Sequence, residues 1–198
     1  MSLGRQHNPL GNVIIRQLGD AGGPRSDWVA DEINNLITWA KDSPRVIHRD
    51  VTVVGNVGAG ADTLRSVSVA AASLATDGDA LDIYAAGTFA ANAHSKSVVT
   101  TYGAQGLGAD ITTTINNGSW KVFYRIARTG ATTAVVMADA RADDTGSAVS
   151  PINFGRINNI TVTHANANTF LLTGQDNDGA PVNDSVQIKY SMIILYQQ

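Results

Sequence analysis

The sequence predicts a mainly β protein: a jelly-roll-like antiparallel β-sandwich preceded by a short N-terminal helix and an extended arm. Three observations carry that expectation. The 198 residues include one Glu and four Lys, against 19 Gly, 16 Asp and 15 Asn. Helical proteins dress their solvent faces with Glu and Lys, whereas strand-and-turn proteins place Gly, Asn and Asp in turns. From residue 46 onward, β-favouring runs alternate with turn signals, and about eight to ten short strands in about 150 residues suit a sandwich or jelly roll. Helical periodicity, by contrast, is confined to one segment near the N-terminus.

Composition also excludes whole classes of function. No Cys is present, so disulfide scaffolds, thiolate metal sites and cysteine nucleophiles are ruled out. A net charge of -3 and basic residues scattered singly (Arg65, Lys96, Lys121, Arg125, Arg128, Arg141, Arg156, Lys189) argue against a nucleic-acid partner. No apolar run approaches the roughly 20 residues of a bilayer-spanning helix, so no membrane insertion is expected, and the N-terminus shows no signal-peptide segment. Charged residues make up 16%, below the roughly 25% usual for soluble domains. A surface rich in Ser, Thr and Asn, partly buried against other subunits, accounts for that.

Residues 1–25 read as an arm: Gly4, Pro9, Gly11, Gly19, Gly22, Gly23 and Pro24 surround one short apolar run, Val13-Ile14-Ile15. Residues 26–45 read as a helix and linker. Ser26 is a good N-cap, Asp27, Asp31 and Glu32 put negative charge in the first turns, Lys41 sits near the C-terminal end, and Pro44 stops continuation. The stripe Val29, Ile33, Leu36, Ile37, Ala40 has amphipathic spacing that suits either the chain's own sheet or a helix seam between subunits. Trp28 and Trp39, partly off the stripe, imply a second covered face and favour the seam.

Residues 46–198 form the β domain. Strands are expected near 46–54, 64–70, 81–91, 97–103, 110–115, 120–128, 132–138, 159–164, 168–174 and 185–196. Alternation is clearest in Leu81-Asp-Ile-Tyr, Val122-Phe-Tyr-Arg-Ile and Val186-Gln-Ile-Lys-Tyr-Ser-Met, whose alternate residues are expected to face a core. Turn chemistry separates them, at Asp77-Gly78-Asp79, Thr129-Gly130 and above all Asn117-Gly118, the strongest short hairpin signal in the chain. The Gly/Asn/Thr-rich segments 103–118, 139–159 and 174–184 read as long display loops.

Two segments carry a family resemblance. Gly78-Asp79 leads into a strand and then into Gly87-Thr88-Phe89-Ala90-Ala91-Asn92-Ala93-His94-Ser95-Lys96, and further on Trp120 to Ile126 runs into Arg128-Thr129-Gly130-Ala131. Both resemble segments of bacteriophage and prophage virion proteins, and the closing Val186 to Tyr196 strand fits the same pattern. The resemblance spans about residues 62–198. It implies a tail-fibre, head-fibre or capsid-decoration component with a jelly-roll domain. It further implies a homotrimer that contacts other virion proteins and is located in the virion after assembly in the bacterial cytoplasm.

Candidate chemistry is sparse. The four histidines (His7, His48, His94, His164) lie in separate segments, there is no Gly-x-Ser-x-Gly elbow, and His94 reads as an exposed residue at a strand end. Asp77/Asp79 and Asp143/Asp144 could in principle serve as glycosidase carboxylates, but they lie beside glycines in expected turns, where Asp bonds the backbone, and the turn reading is preferred. Asp176-Asn177-Asp178-Gly179 looks like the start of a calcium loop without its distal Glu, so Asp176 and Asp178 are weak metal candidates beside a tight-turn reading. Gly55 to Gly60 lacks the Lys-Ser/Thr ending of a phosphate cradle. No cofactor and no enzymatic activity are expected. The leading expectation is a non-enzymatic virion component that oligomerises through Val29, Ile33, Leu36, Ile37 and Ala40. The alternative is a carbohydrate-binding jelly-roll module for a host surface glycan, with Tyr102 and Trp120 as its platform, although Trp120 also suits a core.

Overall fold

The computed structural model describes residues 43–58, 60–144 and 152–198, with the backbone alone over 152–154. The expected arm and helix, and with them Val29, Ile33, Leu36, Ile37 and Ala40, lie outside the described residues. The chain runs β1 (Arg45–Asp50), β2 (Val54–Gly55), β3 (Asp62–Val69), β4 (Ala80–Phe89), β5 (Lys96–Tyr102) and β6 (Gln105–Gly106). It continues through β7 (Ile111–Thr113), β8 (Gly118–Gly130), β9 (Thr133–Asp144), β10 (Ile152–Thr161), β11 (Asn168–Asp176) and β12 (Val186–Tyr196). The protein is mainly β, and every strand pair is antiparallel.

Two sheets share one core. The larger has the order β1-β12-β4-β8-β9-β10, with β2 also on β12, and the smaller has the order β3-β11-β5-β6, with β7 also on β5. Period-two alternation sends Leu81, Ile83, Ala85 and Phe89 of β4 inward, together with Trp120, Val122, Tyr124 and Ile126 of β8. They meet Val98 and Tyr102 of β5 and Phe170 and Leu172 of β11. Burying rings such as Phe89 and Phe170 contributes roughly 1.5–3 kcal/mol each. One hydrogen-bond chain ties the sheets through the core: Thr100 Oγ1 donates to Tyr124 Oη at 2.5 Å, and Tyr124 donates to the Ala109 carbonyl at 3.2 Å.

Several sequence expectations need correction. The strand expected over 46–54 breaks at Asp50, whose carboxylate accepts the Thr52 N–H at 2.7 Å and also pairs with Arg65, turning the chain before β2. In β12 the inward residues are Val186 and Ile188, then Ser191, Ile193 and Leu195. A bulge between Ile188 and Tyr190 shifts the phase, so Tyr190 and Met192 face outward instead of inward. Segment 139–159 is not a display loop in its described part, because β9 and β10 extend into it and pair in register from Thr133↔Thr161 to Ala142↔Ile152. Segment 103–118 likewise contains β6 and β7.

Asn117-Gly118 is not a hairpin. Asn117 does take the left-handed conformation (φ 61°), but β7 pairs with β5, whereas β8 pairs with β4 and β9. The turn therefore carries the chain from one sheet to the other. The tight hairpin lies instead at the other end of β8, where Gly130 is opposite Thr133.

Candidate functional site

The inward face of β5 begins with a charge. Lys96 shares its parity with Val98, Thr100 and Tyr102, and it is fully buried. Its ammonium donates to the carbonyls of Asn92 (2.7 Å), His94 (3.1 Å) and Ile115 (3.0 Å). Burial pulls the Lys96 pKa down, an effect opposed by nearby Asp176. Asp176, at the end of β11, is also buried and accepts four donors: Ser185 Oγ (2.6 Å), His94 Nδ1 (2.9 Å), Val182 N–H (3.0 Å) and Asp178 N–H (3.1 Å). Burial alone would raise its carboxyl, but Ser185 and the other donors hold it far below the usual carboxylate range.

A second buried residue completes this polar knot. Asn56 exchanges two bonds with Val186, one from each residue's backbone N–H, and donates its side-chain amide to the Val182 carbonyl at 3.1 Å. Asn92 donates to Ser185 Oγ at 3.1 Å. The knot therefore fixes segments 90–95, 115–118 and 177–185 at one end of the two sheets, since the Ile115 carbonyl and the Val186 N–H would otherwise be buried unpaired groups.

Beside that knot lies an open, shallow cleft of about 500 Å³. It is lined by residues 88–90 of β4 and its end, 117–119 at the start of β8, Asn183 and Asp184, and Gln187 and Lys189 of β12. Two of these turn the chain with left-handed backbone, Asn117 at φ 61° and Asp184 at φ 60°. Gly55 permits the second of these turns, since a Cβ there would lie 2.0 Å from Asp184 Oδ1. The lining offers amide, hydroxyl, carboxylate and ammonium groups, which suit hydrogen bonding to a polyhydroxylated or peptide-like ligand.

The opposite end of β8 is also braced internally. Asp79 accepts the N–H and hydroxyl of Thr76 (2.8 and 2.9 Å) and the N–H of Gln198 (2.9 Å). Arg128 bonds Asp77 at 3.0 Å together with the Leu74 and Ala75 carbonyls. The backbones of Gly78 and Asp79 pair with that of Arg128. The two segments that resemble virion proteins thus meet here, and Asn92 and Lys96 of the first segment lie in the knot. Their motif residues are accounted for as structural braces.

The structure relocates most candidate residues. Tyr102 and Trp120 are 1% and 2% exposed, so neither forms a surface platform: both point inward from β5 and β8. Asp178 caps Ala180 N–H at 3.4 Å and Asp176 spends its oxygens on protein donors, the tight-turn arrangement rather than a calcium loop. Asp143 and Asp144 lie on β9 rather than in a turn, at the far end of β8 from Asp77 and Asp79. His94 is not an exposed strand end, because its ring is held on buried Asp176. His48 bonds Ser191 Oγ at 2.9 Å, and His164 bonds the Thr133 carbonyl at 3.1 Å.

Ser185, Asp176 and His94 are contiguous, but Asp176 sits between the other two. A nucleophile relay needs the imidazole between hydroxyl and carboxylate, so this order is the reverse. The knot and the cleft escaped sequence reasoning. The local signals are Lys96, a lysine on the inward parity of β5, for the knot and Asn117, in its turn, for the cleft.

No protein-family model matches the chain, and no curated protein matches it in sequence. Among solved structures it is similar to the CBM2 module of the evolved Dit of Lactobacillus casei BL23 phage J-1, with a TM-score of 0.36 and 9% identity over 80% of this chain and 99% of that one. A likeness of that size is too loose to assign a shared fold.

Proposed function

We propose that the chain is a non-enzymatic structural component of a phage virion, a fibre, tail or capsid-decoration protein built on a jelly roll and assembling as a homotrimer. The connectivity supports the jelly roll: β1-β12-β4-β8 opposes β3-β11-β5-β7, with the β9–β10 hairpin appended to the larger sheet. One observation carries the assembly. The outer face of the larger sheet holds an exposed apolar patch beside the Asp82–Arg125 and Asp139–Arg141 ion pairs. Met137 and Ile157 are 51% and 72% exposed, and Phe123, Tyr84, Met192 and Ile194 beside them are partly exposed. Light scattering of the full chain at micromolar concentration tests the trimer, and a mass that is not a multiple of three times 20.7 kDa overturns it.

A second reading, a carbohydrate-binding module, is favoured by the polar cleft between Asn117 and Asp184. It predicts glycan-array binding that is lost on Gln187→Ala and Lys189→Ala. Tyr102→Ala does not test it, because Tyr102 is in the core.

A further inference from the structure

Each sheet edge is a row of unpaired backbone donors and acceptors, and proteins guard such edges with charges, bulges or shortness. Three of the four edges among the described residues are guarded. β1 carries Arg45, Arg49 and Asp50 and a bulge between Val46 and His48. β3 carries Asp62 and Arg65 and a bulge at Leu64, opposite the step from Leu172 to Thr173. On the far side of the smaller sheet, β6 and β7 are two and three residues long.

The fourth edge is the least protected of the four. β10 pairs with β9 at ten consecutive positions without a register shift, contains no Pro, and has Arg156 as its one charge. Side by side on the outer face are Ile157 and Met137, the most exposed of a shallow apolar groove that also includes Phe123. Gly155 opens that groove further: a Cβ there would meet only the Ala138 carbonyl, at 3.7 Å.

We propose that β10 pairs antiparallel with β10 of a second copy across a two-fold axis at Ile157, joining two larger sheets into one. Among the described residues no strand pairs with the outer edge of β10, so its backbone groups specify a strand as the occupant, and the side chains from Gly155 onward specify this strand. Centred on Ile157, the register places Arg156 opposite Asn158 and Gly155 opposite Asn159, so no like charges face each other. The outer row across the seam then reads Arg125, Met137, Ile157 and the same three residues in reverse. Its apolar centre is flanked by the ion pair in which Arg125 holds Asp82 through two bonds of 2.8 and 3.1 Å. This contact does not rest on the trimer. If both hold, trimers are joined in pairs.

Light scattering of the full chain, wild type and Ile157→Lys, tests the proposal, with Val46→Lys on the guarded β1 edge as control. The wild type is expected at an even multiple of 20.7 kDa, Ile157→Lys at half that mass, and Val46→Lys unchanged. A wild-type monomer or trimer overturns the pairing, as does a folded Ile157→Lys that keeps the wild-type mass. A trimer leaves the trimer reading standing, and a dimer does the reverse. Should Ile157→Lys fail to fold, wild-type amide exchange decides. Protection of β10 amides that rises with protein concentration supports the pairing, and protection independent of concentration overturns it.

Discussion

Replacing Lys96 with Met keeps the length of the side chain and removes its ammonium. Three carbonyls, those of Asn92, His94 and Ile115, then lose their donor, and Asp176 loses the cation beside it. The Ile115 carbonyl is within the core, out of reach of water, and an unsatisfied buried acceptor costs about 1–3 kcal/mol. Asn92 and His94 are only partly buried, so water recovers some of their loss. Part of the cost is also offset, because an ammonium no longer has to be desolvated. Breaking a buried charge arrangement by removing one member typically costs about 3–5 kcal/mol, and the three orphaned carbonyls place Lys96→Met in that range. In a domain of this size each kcal/mol moves Tm by about 2–4 °C, so the expected drop is about 6–20 °C. Differential scanning calorimetry of both proteins at pH 7 measures it. A Tm within about 2 °C of wild type would refute the idea that Lys96 holds the loop end together.

Asp176→Asn is expected to be less stable than wild type at pH 7, with a gap that narrows on acidification. The folded carboxyl is held below its unfolded value, so its contribution is complete above about pH 5 and is lost as the pH falls through the folded value. Chemical denaturation at pH 7 and pH 3 reads the gap, and an unchanged gap counts against it. Burial pushes Tyr102 up to about 12 and raises Tyr124 in the same direction. The folded state therefore keeps protons that the unfolded state releases near 10, and this stability is lost as the pH rises through about 12. An absorbance titration should show these two of the five tyrosines still protonated at about pH 11, whereas a single step near 10 for all five contradicts the burial. Gly87→Ala is expected to cost at least about 3 kcal/mol, because its Cβ would lie 1.8 Å from the Gln187 carbonyl. Gly155→Ala, on open sheet surface, should stay within about 0.5 kcal/mol, and urea midpoints of the two variants separate the cases.

The strands were legible because their signals are local. Leu81 to Phe89 and Val122 to Ile126 alternate with period two, and the turns that bound them are rich in Gly, Asn and Asp. Strict alternation fails in β12 past Ile188 because a bulge inserts one residue and turns the other set of side chains inward. The end of β9 and the start of β10 were read as loop because Ala, Asp and Asn favour strands poorly. Partners on both sides of β9 override that preference. For the candidate site, the legible part was Asn117 and its left-handed turn. The rest depends on His94 meeting Asp176, 82 residues away, and Asn56 meeting Val186, 130 away.

By itself the sequence determined the class of protein: strands and turns, no thiol chemistry, and no basic surface. Composition and short-range periodicity act through the backbone preferences of each residue and its neighbours, so they survive in a one-dimensional reading. Only the tertiary structure decided which strands share a sheet and that Tyr102 and Trp120 face the core. It alone gathers Lys96, Asp176, Ser185 and Asn56 into one knot and makes β10 an edge strand among the described residues. Each of those outcomes is a contact between residues distant in the chain. It is chosen by which buried polar groups and strand edges can be satisfied together, a condition that no local stretch of sequence contains.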